Sequence, residues 1–175
     1  IDADRTWVPS RAWVGGNIGN PLITDLGQMQ ENDLVVMELS SFQLETTYTL
    51  NADAATVLNI SEDHLDRYAD MDEYSAAKAR IFSGCGVQVL NRDDERSMGM
   101  ARKDCRIITF GLNPPGNESD FGMENIEGET WLMQGSQRLL KASELQVAGT
   151  HNVANALAAL ALSRAIDFPM PALLD

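Results

Sequence analysis

The sequence predicts an α/β domain in which a mostly parallel sheet is covered by helices, with a small antiparallel β appendage. Short apolar runs alternate with helical segments between residues 11 and 110, an order typical of parallel sheets. Residues 34–37 are continuously apolar, as expected for a strand buried on both faces. Beyond Gly111 the pattern changes to a loop rich in proline and glycine, followed by a hairpin-like pair of segments.

The predicted strands account for most of the sheet. A first strand at residues 11–14 leads into a glycine turn at residues 15–17. Short apolar runs predict four more strands, at residues 33–39, 54–59, 87–90 and 106–110. The appendage is predicted as a hairpin in which residues 129–133 and 138–140 flank the turn 134–136.

The predicted helices cover this sheet. Asn20 followed by Pro21 predicts a helix cap, and the helix would continue to about residue 30. Asp70, with Glu73 three residues later, predicts a capping box that opens a helix through Lys78 to about residue 82. Two further helices are predicted at residues 93–102 and 152–165, the second rich in alanine and leucine.

Composition restricts the classes of function. The formal net charge of −13 argues against a nucleic-acid or anionic-membrane surface, because phosphate binding needs lysine and arginine. No apolar run reaches membrane-spanning length, and no signal peptide is visible. Cys85 and Cys105 have no metal-type spacing, so we expect two reduced thiols in a cytoplasmic protein.

Polar side chains follow the strand predicted at residues 33–39. Glu38, Ser40, Ser41 and Gln43 lie within six residues of one another. Because ligands bind at the carboxyl ends of strands in open α/β sheets, this is a candidate site. A carboxylate there can hold a hard cation such as Mg²⁺ through oxygen. Spacing alone favours a simpler interpretation, in which the strand ends in a polar turn.

Four segments resemble the central domain of the Mur ligase family, and in particular its D-glutamate-adding type. They occur in the same order as in the family and cover nearly the whole chain. Together they are strongly specific, although no single one is decisive. The segments are GGNIG at 15–19, ELSSFQLE at 38–45, LNISEDHLDRY at 58–68 with AAKAR at 76–80, and GTHNVANA at 149–156.

The resemblance implies a P-loop-type domain of an ATP-dependent ligase that acts in cytoplasmic peptidoglycan synthesis. The intact enzyme would phosphorylate the carboxylate of UDP-N-acetylmuramoyl-L-alanine with ATP. The amine of D-glutamate would then attack the acyl-phosphate and form an amide. The implied cofactors are ATP and Mg²⁺ or Mn²⁺. The implied protein is a monomer that acts on small molecules, without nucleic-acid or membrane partners.

Three residues match the metal ligands of the resembling family: Glu38, His64 and Lys78. By the resemblance, His64 and Lys78 are also candidate catalytic residues. Small neighbours of Lys78 would let its helix pack closely, and desolvation favours a neutral amine. A neutral amine can take up CO₂ to give a carbamate, which binds metal, and the resemblance implies that Lys78 is carbamylated. Considered alone, His64 would be interpreted as a loop cap and Lys78 as a surface lysine.

Asn152 and Asn155 match the family's adenine-binding residues. They are three residues apart and so share one helix face. An asparagine amide carries one donor and one acceptor group, the pair that adenine presents at N6 and N7. Simple N-capping by Asn152 is the alternative. The implied substrate-binding residues are Asn17, Ser40, Gln43 and His64, although Asn17 is equally explained as a turn residue.

A phosphate-binding loop is missing from the sequence. No Gly-Lys pair occurs in the 175 residues, so there is no G-x-x-x-x-G-K-[ST] motif. We therefore expect residues 1–175 to be a central ATP-binding domain truncated before its start, lacking the family's N-terminal UDP-binding and C-terminal amino-acid-binding domains. Such a fragment would be inactive in isolation. Two alternatives stay open: a Mur-type ligase that adds a different amino acid, and a non-catalytic binding domain of the same fold.

Overall fold

The computed structural model describes residues 9–63, 66–84, 86–147 and 149–174, and within them the strands form two sheets. The first sheet is the parallel pair β1 (Ala12–Gly16) and β2 (Leu34–Glu38). The second has six strands in sequential order. They are β3 (Ala54–Val57), β4 (Val87–Asn91), β5 (Ile107–Phe110), β6 (Phe121–Ile126), β7 (Glu129–Gln134) and β8 (Gln137–Lys141).

Strands β3 to β6 are parallel, whereas β6, β7 and β8 pair antiparallel at one edge of the six-stranded sheet. Helices lie between and beside the strands, so the predicted class is confirmed, with its antiparallel appendage continuous with the main sheet. Within the described residues, every helix is too short or too polar to span a lipid bilayer. The helices are α1 (Ser41–Glu45), α2 (Met71–Ala79), α3 (Glu95–Gly99), α4 (Thr150–Ala165) and α5 (Pro171–Leu174).

The main core lies between α4 and the six-stranded sheet. One face of α4 carries Leu157, Ala158 and Ala161, which are almost fully buried. They join the side chains of Val89 and Phe110 from β4 and β5 in one apolar cluster. Each large side chain buried in this way stabilises the fold by roughly 1.5–3 kcal/mol.

The helix predicted after Pro21 is absent, and this prediction is wrong. Two single 3₁₀ turns, Leu22–Thr24 and Leu26–Gln28, occupy the segment instead. Ile23 and Leu26 are exposed, so the segment lacks the broad apolar face by which a helix packs against a sheet, although Leu22 lies next to Gly15 of β1. Helices this short are marginal without such packing, which explains why the Asn20-Pro21 signal did not produce a helix.

The start of α2 agrees with its prediction. The Asp70 carboxylate caps the helix by accepting hydrogen bonds from the backbone N–H groups of Asp72 and Glu73, both at 2.9 Å. Glu73 accepts from the N–H of Ala69, rather than from that of Asp70 as a strict capping box requires. A 3₁₀ turn at Arg80–Phe82 continues α2 as far as predicted.

Other differences are smaller. The helix predicted at residues 93–102 is shorter in the structure: Asp94 caps its start by accepting from the N–H of Ser97 at 2.7 Å, and α3 ends at Gly99. Neither α1 nor β6 was predicted. Cys105 is disulfide-bonded, so the prediction of reduced thiols is wrong for it. Spacing along the chain does not show which cysteines approach each other in space. Cys85 lies outside the described residues.

Candidate functional site

The first cluster of predicted site residues lies at the carboxyl end of the β1–β2 sheet. Gly16 is paired with Glu38 in the register of the two strands. Just beyond this pair, the backbone N–H of Asn17 donates to the Glu38 carbonyl at 2.7 Å. The Asn17 side-chain amide also donates to Glu38 Oε1 at 3.3 Å. Asn17 and Glu38 were predicted for different roles, as substrate and metal ligands, and the fold brings them into direct contact.

Gly16 makes this contact possible. Its φ of +116° is one that side-chain-bearing residues rarely adopt. A Cβ atom there would lie 2.2 Å from the Glu38 carbonyl oxygen. The glycine turn of the GGNIG segment therefore lets the backbone cross close to β2, which delivers Asn17 to the Glu38 carboxylate.

Ser40 and Gln43 form a second pair. Ser40 is the N-cap of α1, and its hydroxyl accepts from the Gln43 N–H at 3.2 Å. Gln43 Oε1 in return accepts from the Ser40 N–H at 2.8 Å and from its hydroxyl at 3.1 Å. This reciprocal capping box gives both predicted substrate residues a structural role at the start of a five-residue helix.

The segment that leads to His64 is fixed at the end of β3. Ile60 donates its N–H to the Asp94 carboxylate at 2.8 Å, and Asn91 donates its side-chain amide to the Leu58 carbonyl at 2.8 Å. Ser97 donates its hydroxyl to the carbonyl of Val57, also in this segment. Sequence reasoning missed these supporting residues, although the polar run NRDDERS at 91–97 was a usable signal. His64 itself lies outside the described residues, so its predicted metal and substrate roles stay predictions.

Lys78 lies near the end of α2 and is half-buried. Its Nζ is 5.5 Å from the centre of the Tyr74 ring, one helical turn earlier. An ammonium at this distance over an aromatic face is attracted by the negative potential of the ring. Tyr74 is buried, so Lys78 has a fixed aromatic surface beneath it rather than a fully solvated position.

The described residues contain no group of three or more His, Cys, Asp or Glu side chains arranged to hold a metal ion. The predicted set draws on one described carboxylate, Glu38, together with Lys78 and His64. Glu38 is exposed at the carboxyl end of β2, and a carboxylate is a suitable oxygen donor for Mg²⁺. Its chemistry therefore fits the predicted ion.

Asn152 and Asn155 lie in the first two turns of α4. Gly149, with a φ of +100°, is the N-cap, so the alternative that Asn152 caps the helix through its side chain is wrong. The backbone N–H of Asn152 instead donates to the Gly149 carbonyl at 3.0 Å. Asn152 is half-buried and Asn155 is exposed, while Val153 and Leu157 face the core. Asn155 thus lies away from the packed face of α4, whereas Asn152 is partly covered.

Comparison with known proteins gives a consistent result. A family model described as the Mur ligase middle domain matches residues 13–163. A relative from Nitrosomonas europaea, named UDP-N-acetylmuramoylalanine–D-glutamate ligase, is 56% identical over 170 residues, covering 92% of this chain and 36% of its own length. A relative of the same name from Methylobacillus flagellatus is 54% identical over 154 residues, covering 88% of this chain and 34% of its own. The chain spans about a third of the length of these curated relatives.

Solved structures share the fold at low sequence identity. MurF from Acinetobacter baumannii aligns with 95% of this chain and 44% of its own, at a TM-score of 0.62 and 17% identity. A pseudomurein peptide ligase type C from Methanothermus fervidus aligns with 97% of this chain and 49% of its own, at a TM-score of 0.62 and 17% identity. The UDP-N-acetylmuramate-alanine ligase MurC from Thermotoga maritima aligns with 94% of this chain and 43% of its own, at a TM-score of 0.61 and 20% identity. These similarities support the fold alone.

Proposed function

The chain belongs to the Mur ligase family through its middle domain, and from this premise we propose that it is part of the D-glutamate-adding ligase of peptidoglycan synthesis. The observation that carries the proposal is the identity of 54–56% to relatives of that name, across nearly all of this chain. The contact between Asn17 and Glu38 adds a polar site where α/β sheets bind their ligands.

The proposed reaction has two steps. A carboxylate oxygen of UDP-N-acetylmuramoyl-L-alanine attacks the γ-phosphorus of ATP, giving an acyl-phosphate and ADP. The amine of D-glutamate then attacks the acyl carbon, the C–O bond to phosphate breaks, and an amide, phosphate and a proton are released. In both steps the protein's main task is to position anionic groups and to reduce their mutual repulsion.

In this proposal Glu38, His64 and Lys78 hold the Mg²⁺ or Mn²⁺ ions. A bound divalent ion supplies positive charge that offsets repulsion between phosphate and carboxylate oxygens. Lys78 becomes an oxygen donor by carbamylation. Its neutral amine forms an N–C bond to CO₂ and releases one proton, which leaves a carbamate anion. Lys78 is half-buried on α2 beside the buried Tyr74, and this defined position supports the role.

The other assignments concern binding. We assign Asn152 and Asn155 to the adenine ring, since both lie in the first turns of α4 and Asn155 is exposed there. We assign Asn17, Ser40, Gln43 and His64 to the muramoyl substrate. The Ser40–Gln43 capping box holds those two side chains in a defined arrangement just after the carboxyl end of β2.

We also propose the context of the intact protein. Residues 1–175 would be its central ATP-binding domain, accompanied by a phosphate loop, a UDP-binding domain and an amino-acid-binding domain. A cytoplasmic monomer fits substrates that are nucleotide-linked or abundant inside cells. The disulfide at Cys105 argues the other way, because disulfides are rare in the cytosol. Labelling with a thiol reagent during non-reducing lysis would show whether Cys105 is oxidised in cells.

The proposal is tested on the protein from the intact gene. Purified enzyme with UDP-N-acetylmuramoyl-L-alanine, D-glutamate, ATP and Mg²⁺ should release phosphate and give the amide product by mass spectrometry. Lys78→Ala should lose at least roughly a hundredfold in turnover, as expected when charge stabilisation at the reacting groups is removed. A short carboxylic acid should restore part of it by replacing the carbamate. Asp72→Asn, an exposed position on the same helix, is the control and should keep normal turnover.

Three outcomes would contradict the proposal. Preference for an amino acid other than D-glutamate would identify another Mur-type ligase. Absence of any turnover by the intact protein, with the fold retained, would support a non-catalytic binding domain. Normal turnover of Lys78→Ala without added acid would remove the carbamate role alone.

A further inference from the structure

Glu45, the last residue of α1, joins this helix to the segment that follows His64. Its carboxylate forms an ion pair with the Arg67 guanidinium, and its second oxygen accepts a hydrogen bond from the Tyr68 hydroxyl at 2.7 Å. The Glu45 side chain is only 29% exposed, whereas the Arg67 side chain is 52% exposed. Glu45 is thus an anion at the junction of two elements, with both oxygens engaged.

The charge states of these groups suit the arrangement. The hydrogen bond from Arg67, helped by that from Tyr68, holds the pKa of Glu45 below its usual value. Burial raises the pKa of Tyr68, and the hydrogen bond to Glu45 acts in the same direction. Glu45 therefore stays ionised and Tyr68 stays protonated at neutral pH, so the hydroxyl donates and the carboxylate accepts.

A row of aromatic rings continues from this hydrogen bond to Lys78. The Tyr68 ring stacks on Phe42 of α1 at 6.2 Å and lies 5.2 Å from the Tyr74 ring of α2. Tyr68 and Tyr74 are each only 5% exposed. The Lys78 Nζ lies over the other end of the row, 5.5 Å from the centre of Tyr74. The Tyr68 ring, held by Glu45, thus packs against the ring on which the Lys78 amine lies, and this row links Glu45 to Lys78.

Hydrogen bonds connect α1 and the end of α2 at a second point. Arg80, directly after α2, donates from Nε to the carbonyl of Leu44 at 2.7 Å and from Nη2 to that of Thr47 at 3.3 Å. These bonds fix the carboxyl end of α1, while the aromatic row lies along its side. The amino end of α1, with Ser40 and Gln43, is therefore held in a fixed relation to α2.

We propose that Glu45 is a positioning residue that, through Tyr68 and Tyr74, sets the place of the Lys78 amine relative to the start of α1. This role rests on the proposed function, in which the muramoyl substrate binds at the start of α1 and Lys78 acts on it from α2. Glu45 lies at the opposite end of α1 from its N-cap Ser40, and in this proposal it acts through the rings and not by touching substrate.

The test compares Glu45→Gln and Tyr68→Phe in the intact enzyme. Tyr68→Phe keeps the stacked ring and removes its hydrogen bond, and Glu45→Gln keeps an acceptor and removes the charge. We expect the turnover number to fall roughly tenfold in Tyr68→Phe, the size expected for one hydrogen bond to a charged group. Glu45→Gln should lose somewhat less. The Michaelis constant for ATP should stay within about twofold, because adenine is bound elsewhere.

A second readout separates positioning from simple stability. After equilibration with ¹³C-bicarbonate, the carbamate carbon on Lys78 should give a ¹³C resonance in the wild type. Its occupancy at fixed CO₂ should fall in both variants and stay unchanged in the Asp72→Asn control. If both variants melt earlier but keep normal turnover and carbamate occupancy, Glu45 is only structural and the proposal is overturned.

The two proposals can fail separately. If Lys78→Ala keeps normal turnover, the role of Lys78 fails, and the positioning role of Glu45 fails with it. If the wild type forms no amide product, the proposed ligase function fails, while the ¹³C signal still decides whether Glu45 controls the Lys78 amine. If Tyr68→Phe does not fold, Glu45→Gln alone decides the outcome by the same two measurements.

Discussion

Strands β2 and β4 have the same length and each pairs in parallel with its neighbours, but their surroundings are very different. β2 consists of LVVME and β4 of VQVLN, and each lies in a parallel ladder. Val36 in β2 is 47% exposed, whereas Val89 in β4 is fully buried. The reason is the neighbours: β4 has β3 and β5 on its two sides and lies under α4, while β2 pairs with β1 alone among the described strands.

The comparison separates two properties of a continuous apolar run: that it forms a strand, and that other parts of the chain cover the strand. Such a run predicts a strand that is most stable when covered. It does not predict whether the covering groups belong to the same stretch of chain. The first sheet, which carries Asn17 and Glu38, has two strands, and such sheets are marginal by themselves. The six-stranded sheet carries the main core, so the main core and the Asn17–Glu38 contact lie in different sheets.

The largest expected contrast comes from one pair of identical substitutions. Val89→Ala should lower the free energy of unfolding by about 2–3 kcal/mol, from lost burial of two methyl groups and the cavity left behind. Val36→Ala should change it by less than about 0.5 kcal/mol, because the side chain is already largely solvated. Urea denaturation followed by circular dichroism measures both. Equal effects would show that the two strands are equally consolidated in solution.

Hydrogen exchange sharpens the comparison without mutation. The amides of Val35 and Val36 should exchange at least roughly a hundredfold faster than those of Val89 and Leu90, because the first sheet can open without unfolding the main core. Exchange followed by NMR gives rates for single residues. Similar protection in both strands would mean that the two sheets open as one cooperative unit.

The smallest expected effect is a local pH response in the first sheet. Asp33 accepts hydrogen bonds from the Trp13 indole N–H at 2.7 Å and from the backbone N–H of Gln30 at 3.1 Å. These bonds, led by that of Trp13, hold the pKa of Asp33 below its usual 3.8. A depressed carboxyl pKa stabilises the fold above the unfolded value, and this contribution is lost as pH falls through the folded value.

The Trp13 indole N–H resonance should therefore stay constant at neutral pH and move only below about pH 4. The Asp33→Asn variant, which cannot titrate, should show no such movement. The amides of the six-stranded sheet serve as internal reference, since the hydrogen bonds to the Asp33 carboxylate come from Trp13 and Gln30. A shift of the Trp13 resonance already near pH 6 would contradict the assignment to Asp33.

Sequence patterns predicted most of the fold. Parallel strands, the antiparallel edge, α2 and α4 follow from periodicity and capping residues that the structure keeps. The helix after Pro21 failed because a capping signal states where a helix can begin, not whether a surface exists to pack it. The separation into two sheets was also not predictable, since pairing between strands far apart in sequence depends on the whole fold.

The candidate site was predictable by residue type and only partly by geometry. The motifs named Glu38 and Asn17, but not that Asn17 donates to Glu38 across a glycine turn. They included Glu45 without giving it a role, because its partners Arg67 and Tyr68 lie more than twenty residues away. Contacts over such distances depend on how α1 and α2 pack, and local patterns carry no information on it.

The closed ring of hydrogen bonds between Ser40 and Gln43 has a consequence for selectivity. The Ser40 N–H and hydroxyl and the Gln43 side-chain oxygen already serve the helix, so a ligand that binds these atoms exchanges partners rather than filling an empty site. A molecule that offers only acceptors leaves the Gln43 side-chain oxygen without a donor. A molecule that offers only donors leaves the Ser40 N–H without an acceptor. The ring thus discriminates by the pattern of donors and acceptors, and water, which has both, is the competitor that any true ligand must displace.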